Sequence, residues 1–306
     1  MNDNGYSPHT PRAAGDVTAA GQTTGGAVGK RRSPWPLAVV ATLFIVVPFL
    51  SWYGTSFWRT LSDAEIEEYL SDQRKLRHVQ HALEEIDRRI VKGDAAARAG
   101  ARRWYPQVVR FASDSSPELR LSAAWVMGDD NTSEEFRAAL AAQLEDSDPA
   151  VRRMAALSLS RFNDPRARDE LLAIFRPYGV ASPAGGTLLT VLSEKSSVRR
   201  GALVARLRDA GGQVVEVRSP LSGRVSKLSK VEGSPVNAGD ELMSLSPDGE
   251  NVLQALRALY LVGSAEDLPV IEVYARGAEG MPGLVKEQAA LTSEEIRRRS
   301  GAKSEE

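Results

Sequence analysis

The 306-residue chain contains no cysteine. Disulfides, thiolate metal sites, iron–sulfur ligation, thioether-linked haem and a lipidated-cysteine anchor are excluded, because each needs a sulfur. Histidine is scarce, with three residues, so imidazole-based sites have few places to form. Charge of one sign is also lacking: 39 Lys and Arg stand against 40 Asp and Glu, a net of −1. No global field therefore draws the chain towards nucleic acid or an acidic partner. Nothing in the sequence pairs a nucleophile with a base.

What is present begins with one long apolar run. Positions 37–50 are apolar except for Thr42, and no charge interrupts the chain up to Trp58. At about 1.5 Å per residue, a helix of roughly 20–24 residues crosses the ~30 Å hydrocarbon core. Trp35 marks one interface and Trp52, Tyr53 and Trp58 the other, as in an aromatic belt. Lys30-Arg31-Arg32 precedes the run, which keeps the N-terminus cytoplasmic and exports the remainder. A cleaved signal peptide is the competing reading. The late start, the length and the lack of a small-x-small motif before Trp58 favour a retained signal-anchor over residues 35–58. Residues 1–34 are then a disordered cytoplasmic tail, with no apolar periodicity. Gly25-Gly26-Ala27-Val28-Gly29-Lys30 is no phosphate loop, because Thr24 stands where a glycine is needed and Arg31 where Ser or Thr is needed.

Beyond the run the pattern turns helical. Ser62-Asp63-Ala64-Glu65 reads as a capping box. Ile66, Tyr69, Leu70, Leu76, Val79, Leu83, Ile86 and Ile90 recur at three- and four-residue intervals, one apolar stripe that Gly93 ends. An Ala-rich helix follows from Asp94 to near Ala112, with Pro106 as a point of bending. The helices then repeat. Ser115-Ser116-Pro117 with Leu119, Arg120, Ala123, Ala124 and Trp125 aligns with Ser147-Asp148-Pro149 with Val151, Arg152, Ala155, Ala156 and Leu157. Each copy runs into a polar turn and a second apolar helix, and a period of about thirty residues of paired helices marks an α-solenoid. The Asp148, Val151, Arg152, Ala155, Ala156 pattern resembles the HEAT-repeat family. Val151 belongs in the core of such a repeat, and Arg137 on its surface. Ala258-Leu259-Tyr260 and Gly263 echo Ala123-Ala124-Trp125 and Gly128, so the repeats resume over residues 249–300. Thr292-Ser293-Glu294-Glu295 reads as a capping box opening a last helix, before a frayed tail at 301–306.

Between the two helical parts, a short β pattern is written twice. Gly186, Val198, Gly201, Val204 and Leu207 fall opposite Gly223, Val236, Gly239, Leu242 and Leu245. Alternating short strands punctuated by glycine predict a small all-β unit, each copy too short to stand alone. The segments Ser219-Pro220-Leu221-Ser222-Gly223, Glu232-Gly233-Ser234-Pro235-Val236 and Ala238-Gly239-Asp240-Glu241-Leu242 resemble the biotinyl/lipoyl domain family. That resemblance implies a barrel-sandwich hybrid of two interlocked four-stranded halves over residues 184–248, entered near Pro183 and left near Pro247. It also places the acylated lysine of a carrier at the tip of the hairpin joining the halves. Here that position is Gly212, and no lysine lies between Lys195 and Lys227. The expected fold class is thus mainly α: a HEAT-type solenoid over 62–180 and 249–300, interrupted by a lipoyl-like β domain.

No catalytic, cofactor-binding or metal site emerges. His9 lies in the tail. His78 and His81, three apart, share a helix face with Glu85, but no third ligand element is indicated. Glu84, Glu85 and Asp87 with Arg88 and Arg89 read as intrahelical pairs, and Asp129-Asp130 as turn chemistry. Trp125 is assigned to the core, while Trp104 stands evenly between core and partner anchor.

The resulting expectation is a non-enzymatic scaffold anchored in a bacterial inner membrane, its bulk periplasmic, binding partner proteins of an envelope complex and no nucleic acid or cofactor. The alternative is a transport adaptor, because the β unit also resembles that of membrane-fusion (periplasmic adaptor) proteins. Those place a long helical hairpin between the halves, where Gly211-Gly212-Gln213 stands here. An alkaline phosphatase reporter fused after residue 306 should be active. An inactive fusion, with a cytoplasm-only reporter active instead, overturns the topology.

Overall fold

The computed structural model describes residues 60–72 and 75–304. The anchor and tail assigned to 1–58 lie outside them, and no helix among the described residues is long and apolar enough to cross a membrane.

The first helical part contains α1 (Asp63–Ser71), α2 (Leu76–Lys92), α3 (Ala95–Ala101), α4 (Tyr105–Phe111), α5 (Pro117–Met127), α6 (Glu134–Gln143), α7 (Pro149–Ser160) and α8 (Arg168–Ala173). The capping box forms as read, with Ser62 N donating to the Glu65 carboxylate at 2.8 Å and Glu65 N to Ser62 Oγ at 3.4 Å. The stripe that follows is two helices rather than one, parted between Ser71 and Leu76 so that they fold onto each other. The Ala-rich helix is likewise broken, by a 3₁₀ turn at Arg102–Trp104 ahead of Pro106. Pro106 sits in the first turn of α4, where its missing N–H costs nothing.

The repeated segments open alike. Ser116 and Asp148 are the N-caps of α5 and α7, accepting from Leu119 N and Ala150 N, and Pro117 and Pro149 follow at the first helical position. Ala123, Ala124, Ala155 and Ala156 are fully buried, and their small side chains let α5 and α7 pack closely. Arg120 donates forward to Asp146 of the next repeat, Nε to Oδ2 at 2.7 Å and Nη2 to Oδ1 at 2.8 Å. It also takes the carbonyls of Asp114 and Ser115, as Arg152 takes those of Asp146 and Ser147.

A second set of contacts runs between successive repeats on the other layer. Tyr105 Oη donates to Asp130 at 2.7 Å, Arg137 Nε to Asp164 at 2.8 Å, and Arg168 Nε and Nη2 to Asp267 at 3.1 and 2.9 Å. Arg137 is therefore not an idle surface charge, as its sequence context suggests, but the partner of a buried carboxylate. The last of these contacts joins residues 99 apart in sequence and crosses the β insert.

After the insert come α9 (Gly249–Val262), α10 (Leu268–Ala275) and α11 (Gly283–Ser304). Phe175 packs on Tyr274 with ring centroids 5.1 Å apart, and one continuous apolar core reaches from Leu61 to Ile296. The solenoid is thus uninterrupted in space. The expected capping box at Thr292 does not form, because α11 runs straight through it. Thr292 is buried and its hydroxyl donates to Leu256 O at 2.9 Å, tying α11 to α9.

The insert has eight strands, β1 (Tyr178–Ala181), β2 (Gly186–Val191), β3 (Ser197–Val198), β4 (Leu203–Asp209), β5 (Val214–Arg218), β6 (Gly223–Leu228), β7 (Pro235–Val236) and β8 (Glu241–Ser246). They form two antiparallel four-stranded sheets, β1-β8-β6-β3 and β5-β4-β2-β7. Exchanging β1 with β5, β2 with β6, β3 with β7 and β4 with β8 turns one order into the other, so the tandem pattern is a structural pseudo-twofold. The paired glycines show why it survives in sequence. A Cβ on Gly186 would meet Arg208 O at 2.1 Å, and one on Gly223 would meet Ser246 O at 2.6 Å. Gly201 and Gly239 have φ of +79° and +89°, a region costly for residues with a side chain. The sheets close over their own core of Leu188, Val204, Leu207, Val225, Val236, Leu242 and Leu245. The unit starts earlier than Pro183, because Tyr178 pairs with Leu245. That pairing brings entry and exit strands side by side, the condition for an insertion that leaves its host intact.

Val151 is fully buried, so Val151→Asp should destabilise the protein by roughly 3 kcal/mol or more, as buried unpaired carboxylates do. Glu135→Ala, at an exposed position, should stay within about 0.5 kcal/mol. Equal melting temperatures for the two variants overturn the packing described.

Candidate partner-docking surface

The first helices of successive repeats, α5, α7 and α9, stack in one layer. Trp125, Leu157 and Tyr260 hold the same position on each. Trp125 and Tyr260 are each 40% exposed, and Leu157 is half-buried against the core. The assignment of Trp125 to the core is thus overturned. Its neighbours Ala123, Ala124, Val126 and Met127 already fill the space beneath, leaving the indole on the outer surface. Leu261, the next residue, is also exposed. Trp104 resolves the other way: it is buried, with the guanidinium groups of Arg89 and Arg103 4.2–5.1 Å from its ring.

The histidine face does not assemble as a ligand set. His78 stacks on Tyr69 at 4.3 Å and its Nδ1 lies 3.1 Å from Asp72. Glu85 turns inward, where Arg88 and Arg89 bind it. No cluster of three potential ligands occurs among the described residues, and His9 lies outside them.

The acidic residues sort differently from their sequence reading. Asp130 is turn chemistry, accepting from Thr132 N at 3.1 Å. Burial raises its pKa, but hydrogen bonds from Thr132 and Tyr105 outweigh that and leave it lowered. Asp87 is not part of an intrahelical pair. It is buried against Asp129, at the end of the neighbouring helix. Burial first, then the Asp129 hydrogen bond and charge, push its pKa to about 8, against the opposing charges of Arg161 and Lys92. Arg161 holds Asp129 directly. No sequence rule could pair these carboxyls, since they meet only when α2 packs on α5.

Gly212 lies in the turn joining β4 to β5, with φ of +81°. Gly212 N donates to Asp209 O at 3.0 Å, and Gln213 N donates to Asp209 Oδ1 at 2.8 Å. A tethered lipoyl or biotinyl group needs a lysine amine to form its amide. The residues of this turn supply none and do not fit that chemistry.

Two contacts link the insert to α7 of the solenoid. Arg200 Nη2 lies 3.0 Å from Asp148 Oδ2, the N-cap of α7, and Arg153 sits over the ring of Tyr178 at 5.9 Å.

A family model for HEAT repeats matches residues 105–179, the segment from α4 to the start of β1. No curated protein matches the chain. Among solved structures, one described as "Structure and function of a single-chain, multi-domain long-chain acyl-coa carboxylase" is similar at 19% identity and a TM-score of 0.23. The overlap covers 42% of this chain and 14% of that one, so the chain spans a small part of that protein and the carboxylase activity does not carry over.

Asp87 yields a pH test. Its folded pKa of about 8 stands above the ordinary aspartate value of 3.8, so between these values the folded state holds a proton that the unfolded state has released. The stabilisation is full below pH 3.8 and is lost as pH rises through about 8. Asp87→Asn keeps a neutral donor at the site. It should therefore lose less melting temperature than wild type between pH 6 and pH 9. Parallel losses in both proteins refute the raised pKa of Asp87.

Proposed function

We propose that the protein is a membrane-anchored, extracytoplasmic scaffold that binds a partner protein through its solenoid and carries out no chemistry. The observation that carries this reading is the row of Trp125, Leu157 and Tyr260 on equivalent helices. Stacked repeats build extended surfaces suited to protein contact, and large aromatics with one exposed face are the side chains that most often dominate such interfaces. The HEAT-repeat match over 105–179 supports the same class. The membrane anchor rests on Lys30-Arg31-Arg32 and the apolar run behind it. The lipoyl-like β unit acts as a docking module, since Gly212 offers nothing to acylate. The transport-adaptor reading is disfavoured because a short turn from Asp209 to Val214 joins the halves, where membrane-fusion proteins carry a helical hairpin.

In-cell crosslinking and purification from detergent extracts identifies the partner. Trp125→Ala with Tyr260→Ala should then weaken its capture about tenfold or more, the scale of two interface anchors, while melting changes little. Undiminished capture by the folded double variant refutes this surface.

A further inference from the structure

The insert and the far end of the solenoid enclose a cleft. It opens, with a volume of about 630 Å³, between the β3–β6 edge on one side and the start of α9 with the 279–281 loop on the other. Its volume is in the range of ligand-binding clefts. Arg199, just beyond β3, and Arg224 on β6 line it on one side, and Glu279 on the other. These three charges have no ion-pair or hydrogen-bond partner among the described residues. That sets them apart from their neighbours. Arg200 is committed to Asp148, and the Asp248 carboxylate in the same cleft is occupied by Asn251 N and Nδ2 at 2.8 and 3.0 Å.

The walls are built rather than incidental. Arg224 is held in register between Ser197 and Ser246 on adjacent strands. On the other side, a Cβ at Gly249 would come within 2.5 Å of Pro282, so the start of α9 and the loop before α11 are closely packed. The cleft therefore presents two free guanidinium groups and one free carboxylate, beside the engaged carboxylate of Asp248. Arginine is the side chain best matched to carboxylate, through paired donors in a fixed fork.

We propose that this cleft binds an acidic peptide segment of the partner protein, its carboxylates on Arg199 and Arg224 and a neighbouring basic residue on Glu279. The proposal rests on the scaffold reading for the ligand being a protein. A peptide fits better than an anionic membrane surface, because a bilayer is too flat to enter a cleft and Glu279 repels its headgroups.

The test pans the full chain in detergent against a displayed library of random nonapeptides. Enrichment of Asp- and Glu-containing sequences is expected. A selected peptide, synthesised and titrated, should bind about tenfold more weakly or worse to Arg199→Gln with Arg224→Gln, since each 1.4 kcal/mol is a factor of ten. Binding should also weaken with added salt. Arg208→Gln, an exposed arginine on β4 outside the cleft, should leave affinity unchanged, and melting curves check that each variant folds. Peptides without acidic bias, or acidic peptides indifferent to the double variant, overturn the proposal. So does arginine-dependent sedimentation with phosphatidylglycerol vesicles in the absence of peptide binding, which assigns the patch to a membrane. Peptide binding that persists in the Trp125→Ala, Tyr260→Ala variant keeps the two surfaces separate. If that variant also keeps its partner, the solenoid surface falls while the cleft stands.

Discussion

The solenoid depends on carboxylates placed in the turns between paired helices. Asp130, Asp164 and Asp267 each sit just before a second helix and accept a donor from the repeat behind. Asp164 also accepts Arg166 N at 3.1 Å, and Asp267 takes Ser264 N at 2.7 Å. One side chain thus ends a turn and joins two repeats. A buried carboxylate is costly without partners, and these have them in full. Arg166, with Arg137 beside it, holds Asp164 well below the usual carboxylate range despite burial. Because such contacts are nearest-neighbour, stability accumulates repeat by repeat, and any segment that preserves them can interrupt the chain.

The β insert is such a segment. It leaves after α8 and returns before α9, yet Arg168 still reaches Asp267 and Phe175 still meets Tyr274. Its own fold makes this possible, since β1 and β8 pair along their length and deliver both ends to one place. The insert's apolar residues form a core of their own, distinct from that of the solenoid. Arg200 with Asp148 and Arg153 with Tyr178 tie the two together.

Legibility followed the range of the interactions. The doubled glycines and valines of the β unit were readable because a pseudo-twofold repeats the same steric demand at two places in one chain. The Pro-started helices and their Ala-Ala steps were readable for a similar reason, and a family model finds them over 105–179. Features made by packing between distant segments were not. The break after Ser71 leaves the apolar spacing intact across it, so periodicity alone joins α1 to α2. Strand β1 has only four residues and owes its existence to β8. Thr292-Ser293-Glu294-Glu295 matches a capping motif, but burial of Thr292 against α9 decides its role. Trp125 looked like core because its spacing is helical, and its position above an already filled layer shows only in three dimensions. The cleft residues carry no local signal at all, being drawn from both sides of a domain junction.

The two repeats differ most tellingly where the insert docks. Ser116 and Asp148 occupy the same N-cap position, and both satisfy a free backbone donor. The serine hydroxyl spends its proton on Glu118 at 2.8 Å and carries no charge to offer an arginine. The aspartate has a second oxygen, and Arg200 takes it at 3.0 Å. Capping accepts either residue with nearly equal effect, so helix stability does not require the change from Ser to Asp. An ion pair to the insert does. The same helix carries Arg153, whose guanidinium lies over Tyr178, where the aligned residue of the earlier repeat is Leu121. Two substitutions on one repeat thus turn a generic helix face into a seat for the β unit. That seat adjoins the cleft wall, since Arg200 directly follows Arg199 in the chain.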